Sequence, residues 1–97
     1  MSESEEDLKN IKIMEEIENQ FLSLLPLLER YLDKEDTDFL IELITHSECG
    51  IAFEEIVHAL IYYKVALTDE EFEEIVLAGN MIKRSPSTWE KLKELIK

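Results

Sequence analysis

Residues 51–75 read IAFEEIVHALIYYKVALTDEEFEEI, and the spacing of their apolar positions decides the fold. Ile51, Ala52, Phe53, Ile56, Val57, Leu60 and Ile61 recur at steps of three and four, which gathers them on the inward face of a helix ending near Tyr63. A strand would need alternation at steps of two. Thr68 then opens Thr-Asp-Glu-Glu. Its hydroxyl can accept the amide of Glu71, and the Glu71 carboxylate can accept the amide of Thr68 in return. This capping box starts a further helix with Phe72, Ile75 and Val76 inside and Leu77 beside them. Gly79-Asn80 reads as the end of that helix or a weak point in it.

The same period runs through the first third of the chain, at Leu8, Ile11, Met14, Ile17, Phe21, Leu24, Leu25, Leu28, Tyr31 and Leu32. Pro26 interrupts it, because proline removes a backbone donor and crowds the preceding turn. The pattern predicts a long first helix, a break near residues 23–26 and a short second piece, with polar residues 1–6 frayed ahead of them. Residues 33–38, DKEDTD, form a charged link in which Asp36 or Thr37 caps the next helix. That helix carries Phe39, Leu40, Leu43 and Ile44 and ends around His46–Ser47, and Glu48, Cys49 and Gly50 make a tight junction. Further on, Ser85 before Pro86, and Ser87 with Glu90, announce a last helix that buries Trp89, Leu92 and Ile96.

The predicted fold is therefore all-α, a compact bundle of five or six short helices forming one domain over residues 1–97. A chain of 97 residues suits a single core. With 45% of residues apolar, disorder is not expected, and two glycines and two prolines suit helices better than turn-rich sheets.

Charge narrows the function. The chain holds 23 acidic residues against 10 basic ones, a net charge of −13 at pH 7. Direct binding of nucleic acid is disfavoured, since phosphates would be repelled at every approach, and so is an anionic membrane. A basic protein would be steered in. The excess is concentrated: residues 33–74 hold thirteen acids and two bases, whereas residues 75–97 hold two acids and five bases. A single cysteine, an acidic N-terminus unlike a signal peptide, and no apolar run near the roughly 20 residues of a membrane span point to the cytoplasm.

Catalytic and metal chemistry finds little to build on. Asp36, Asp38 and Glu42 lack the mid-loop glycine and alternating oxygens of a calcium loop. His46 and His58 do not join Cys49 in a spaced ligand set. Nothing local activates Cys49, and neighbouring carboxylates disfavour its thiolate, so a small cysteine packed between two helices is its expected role. The pairs Glu15-Glu16, Glu54-Glu55 and Glu73-Glu74 face solvent by periodicity. No catalytic, cofactor-binding or metal-binding residue is expected.

The acids taken together read differently. Glu54 and Glu55 lie on the outer side of one helix, and Asp69, Glu70, Glu71, Glu73 and Glu74 crowd the start of the next. Part of that crowd serves the helix dipole. Asp69, Glu70, Glu73 and Glu74 exceed what a cap requires, which leaves a partner surface and a solubilising surface as the two readings. Tyr62 and Tyr63 are adjacent at a helix end, so both cannot face the core. One ring presents itself near the acids as an interface anchor, or lies over the Lys64 stem.

Residues 48–63, ECGIAFEEIVHALIYY, with Lys64-Val65-Ala66-Leu67-Thr68 and the helix carrying Phe72 and Ile75, resemble the MafI-type immunity proteins. Glu48, Gly50, Ala52, Leu60, Leu67, Phe72 and Ile75 stand at matching places, and Trp89 falls where a late aromatic belongs. The likeness covers about residues 38–95 and leaves out the first helix. Cys49 and the Tyr62-Tyr63 pair are not part of its pattern. What the resemblance implies is a bacterial antitoxin that binds a cognate toxin domain, often a nuclease, delivered by contact-dependent or polymorphic toxin systems.

The expected function is thus a non-enzymatic immunity protein that binds one basic toxin domain, a nuclease, one-to-one. It would occlude the toxin with an acidic face of Glu54, Glu55, Tyr63, Asp69, Glu70, Glu73 and Glu74. Two rivals remain. One is a helical adaptor or dimerisation module that binds an amphipathic helix, which a long exposed apolar groove beside the first helix would favour. The other is a small metal-dependent enzyme.

Overall fold

A computed structural model describes residues 2–97, with side chains from Ile11 onward. Its α-helices are α1 (Ser2–Leu22), α2 (Lys34–Thr45), α3 (Cys49–Tyr62) and α4 (Asp69–Met81). Single turns and one longer run of 3-10 helix follow α1 and α4, at Leu25–Leu27, Pro86–Thr88 and Glu90–Leu95. The fold is an all-α bundle. The helical span of α1 takes in residues 2–6, where the sequence predicts fraying, and Met1 lies outside the described residues.

Pro26 separates two elements rather than bending one. The Ser23 hydroxyl donates to the Gln20 carbonyl, and the Leu24 amide donates to Phe21 at 3.0 Å, so the chain tightens into 3-10 geometry before the proline arrives. The start of α2 differs from the sequence expectation. Its cap is Asp33, not Asp36 or Thr37: the Asp33 carboxylate accepts the Asp36 amide at 2.9 Å. Glu35 and Asp36 thereby fall in the first turn, where the helix dipole favours anions. The capping box at α4 forms as predicted, with Thr68 and Glu71 exchanging bonds of 2.8 and 3.0 Å.

α3 is the centre of the bundle and packs on α1, α2 and the Glu90–Leu95 segment. Ala52, Phe53, Ile56 and Leu60 are fully buried. The Phe53 ring meets Phe21 edge-on at 6.0 Å and Trp89 at 6.2 Å, knitting the first helix to the last turns. Trp89 explains a second departure from the sequence reading. Gly79 does not end its helix: α4 continues to Met81, and a Cβ at Gly79 would fall on the Trp89 ring carbons. The glycine is there for the close approach.

Neither glycine ends a helix. α2, α3 and α4 instead close with Ser47, Lys64 and Lys83 in the left-handed region, at φ 62°, 51° and 58°. In each case the next amide reaches back to close the last turn: Glu48 to Leu43 at 2.8 Å, Val65 to Leu60 at 3.0 Å, Arg84 to Gly79 at 2.9 Å.

The last helix announced by the sequence is a 3-10 run instead. Ser85 takes the N-cap position with Pro86 in the first turn, as the sequence predicts, but its hydroxyl bonds that of Ser87 at 2.8 Å instead of a backbone amide, and no capping box forms between Ser87 and Glu90. Trp89, Leu92 and Leu95 recur every third residue and so line up along a helix of three residues per turn. The segment is anchored by one parallel bridge, in which the Leu67 amide donates to Leu95 at 2.9 Å and the Lys97 amide to Leu67 at 3.0 Å.

Several apolar residues of the periodic stripes face outward. Ile51 and Ile61 on α3, and Leu77 on α4, are exposed because the buried phase runs through Cys49, Ala52, Phe53, Ile56, Val57 and Leu60, and through Ile75 and Ala78. On α1 every residue from 11 to 16 is exposed, and burial begins at Ile17. The radius of gyration, 14.4 Å, exceeds the about 12.5 Å of a compact domain of this length.

Candidate partner interface

The outer ridge of α3 is built by the helical period. With Ile56 and Leu60 turned inward, Ile51, Glu54, Glu55, His58, Ile61 and Tyr62 all fall on the opposite side, and all six are exposed. Tyr62 is the most exposed large apolar side chain of the described residues, at 71%. It stands edge-on to Tyr63 with ring centroids 4.9 Å apart, and Tyr63 stacks on Tyr31 at 5.3 Å. Tyr63, the residue proposed from sequence, is thus the middle ring of three, and Tyr62 is the outermost.

Two grooves flank this ridge. One, of about 240 Å³, lies between α2 and α3 and is lined by Leu32, Asp36, Phe39, Leu40, Glu55, His58, Ala59, Tyr62 and Tyr63. The other, of about 460 Å³, runs between α3 and the C-terminal turns past Glu54, Val57, His58, Ile61, Tyr62, Thr88 and Lys91. His58 and Tyr62 border both. Phe39, half exposed, faces the first.

The seven residues proposed from sequence are divided between two helices. Glu54 and Glu55 lie on α3 and Tyr63 is its C-cap. Glu54 meets Arg84 at 3.6 Å, with both side chains well exposed, so the pair contributes little to stability. It is the one salt bridge among the described residues. On α4, Asp69 and Glu70 sit in the first turn, beside the Glu71 used by the capping box. Glu70 and Glu73 share the outward side with Leu77, while Glu74 turns toward α1 and accepts the Gln20 amide at 2.7 Å. α4 packs on α1 and the Pro86–Thr88 turn. Among the described residues, no hydrogen bond or ion pair joins the α3 acids to those of α4.

Asp36, Phe39, His58, Tyr62, Ile51 and Ile61 are interface candidates missing from the sequence proposal. One signal was available: α3 holds more large apolar residues than a single face can bury. The contribution of α2 had no such signal, since residues 36 and 39 meet residues 55–63 only through helix packing.

Other chemistry is sparse. Cys49 packs at the start of α3, its sulfur 3.8 Å from the Ile44 carbonyl oxygen, and burial followed by the negative charge of Glu18 pushes the thiol pKa up. That is the direction of an inert thiol. Among the described residues, no three His, Cys, Asp or Glu side chains come together as a metal site, and no helix is long and apolar enough to cross a membrane. Compared with known proteins, the chain matches no family model, no curated protein and no solved structure.

A third groove, of about 220 Å³, lies beside α1. It is lined by Met14, Ile17, Glu18, Ile44, Ser47, Cys49, Gly50 and Ile82. Ile11 and Ile13 continue its apolar character up the exposed part of the helix.

Proposed function

We propose that this chain is an immunity protein: a non-enzymatic inhibitor that binds one basic toxin domain, a nuclease, in the cytoplasm and covers its active site or a surface beside it. One observation carries the reading. Exposed Tyr62, Ile61 and Ile51 share an α3 ridge with Glu54 and Glu55, on a chain of net charge −13. Aromatic and aliphatic anchors within a charged rim suit a tight protein interface, and the carboxylates match the phosphate-binding groove of a nuclease. The sequence likeness of about residues 38–95 to the MafI-type immunity proteins suggests the kind of partner. On α4, Glu70 and Glu73 add long-range steering.

The test uses tagged chain as bait in its native host, with bound proteins identified by mass spectrometry. The expected result is one basic toxin fragment at a one-to-one ratio, whose nuclease activity falls to zero at one equivalent of chain. Replacing Glu54 and Glu55 by lysine, or Glu70, Glu73 and Glu74 by lysine, lowers that affinity more than about tenfold. Recovery of host proteins alone, or a toxin that stays active at equivalence, would sink the proposal.

A second reading is favoured by the α1 groove. An adaptor or dimerisation module would use the exposed apolar stripe of Ile11 and Met14 to hold an amphipathic helix. Light scattering decides between them: twice the chain mass that reverts to one on Ile11→Glu with Met14→Glu supports this second reading.

A further inference from the structure

We propose that the groove between α2 and α3 is a receptor for one arginine side chain of the protein partner. Its guanidinium would lie against the exposed Tyr62 ring, with the carboxylates of Asp36 and Glu55 to either side. The inference deepens the inhibitor reading and rests on it for the identity of the partner, while the groove itself stands on its own geometry.

Four observations choose this occupant. The groove, about 240 Å³, is smaller than the about 300–1,000 Å³ of sites for metabolites and cofactors, and suits an inserted side chain. Its lining combines aromatic rings with two carboxylates and holds no lysine or arginine. Neither carboxylate is neutralised, because the one salt bridge among the described residues uses Glu54. Finally, Tyr31 covers one side of Tyr63, and Tyr62, set almost perpendicular at 87°, is left exposed as the platform. A cation over a tyrosine face beside a carboxylate gains from ring quadrupole and ion pairing together. Arginine fits better than lysine, since its flat, weakly hydrated guanidinium can stack on a ring while its fork bonds a carboxylate.

The experiment needs no toxin. The ¹⁵N-labelled full chain is titrated with N-acetyl-arginine amide at pH 7.5 and 150 mM salt, followed by amide shifts, with the citrulline and lysine counterparts in parallel. Citrulline keeps the shape of arginine without its charge. Saturable shifts confined to Phe39, Glu55, His58, Tyr62 and Tyr63 are expected, with a dissociation constant on the order of 10 mM. Lysine amide should bind at least about threefold more weakly and citrulline amide not measurably. Asp36→Asn with Glu55→Gln, or Tyr62→Ala alone, should weaken arginine binding about fivefold or more. All three side chains are exposed, so the variants keep the fold.

Equal shifts with citrulline, shifts spread over the acids of α4, or binding unchanged in both variants would each overturn the proposal. Tighter binding of spermidine at the same residues would overturn the commitment to an arginine side chain. A failed titration beside a captured, inhibited toxin removes the arginine receptor and leaves the immunity reading standing. A successful titration with no toxin captured does the reverse.

Discussion

Helices α1 and α3 carry similar apolar patterns and use them in opposite ways. On α1, among the residues whose side chains are described, Ile11 and Met14 stay about half exposed, and the stripe reaches the core only from Ile17 to Phe21. On α3 the inward stripe is buried along its whole length, and a second set of apolar residues stands on the solvent side. A period of three and four therefore says which residues share a face. It does not say whether anything covers that face. Coverage depends on how far neighbouring elements extend along the helix, and beside Met14 the end of α2 and the residue after α4 leave a groove rather than a closed contact.

The contrast breaks most visibly at Phe53. Replacing this fully buried ring by alanine should cost about 3–5 kcal/mol in urea unfolding, enough to abolish the fold at moderate temperature. Ile11→Ala, a similar truncation on the uncovered stretch, should stay within about 0.5 kcal/mol. A loss above 1 kcal/mol at Ile11 would mean that α1 is covered in solution and would revive the dimer reading. Gly79→Ala sharpens the comparison from the other side of the core. Alanine is the better helix former, but its methyl meets Trp89 and comes within 3.0 Å of Phe53, so a net loss of about 1–3 kcal/mol is expected. Neutrality or a gain there would show the inner face of α3 to be loosely packed.

Smaller effects probe the link that leaves α3. Thr68→Ala removes one half of the capping box and should lower stability by about 1 kcal/mol. Lys64→Gly should raise it by about 1 kcal/mol, because Lys64 holds φ at 51° and only glycine does so without steric cost. The smallest expected effect is at Cys49. Its thiol pKa is raised on folding, so the neutral form is favoured in the native state. That contribution is complete below the ordinary thiol pKa and is lost as pH rises through the raised one. Cys49→Ser should therefore flatten the alkaline fall of the melting temperature.

Much of the architecture could be read from residue order because its causes are local. The Thr68–Glu71 box lies within four residues, the break before Pro26 follows from a missing donor, and the inward positions Ala52, Phe53, Ile56 and Leu60 follow from period alone. The misreadings come from partners distant in sequence. Gly79 looks like a helix end until Trp89 is seen lying on it. Ser87 looks like half of a capping box with Glu90 until its hydroxyl is seen bonded to that of Ser85, which does hold the N-cap position before Pro86. Asp36 and Thr37 are both competent caps, and Asp33 takes the role because its side chain reaches the Asp36 amide. The candidate interface divides the same way: Glu54, Glu55 and Tyr63 could be picked out along α3 and its C-cap, whereas Asp36 and Phe39 meet Glu55 and Tyr63 only across the α2–α3 groove.

The bridge between Leu67 and Ile96 makes the entry to α4 depend on residues far behind it in the chain. The segment that leads into α4 receives its backbone partners from residues 95 and 97, made about thirty positions later. α1, α2 and α3 meet one another through residues that precede the link to α4, whereas the backbone of Leu67 at the threshold of α4 is partnered only from residues 95 and 97. The same C-terminal segment carries Trp89, which lies on Gly79 and is one of the two aromatic neighbours of Phe53. A pulling experiment should then find that load applied at residue 97 opens the C-terminal turns first and strips one flank of the core.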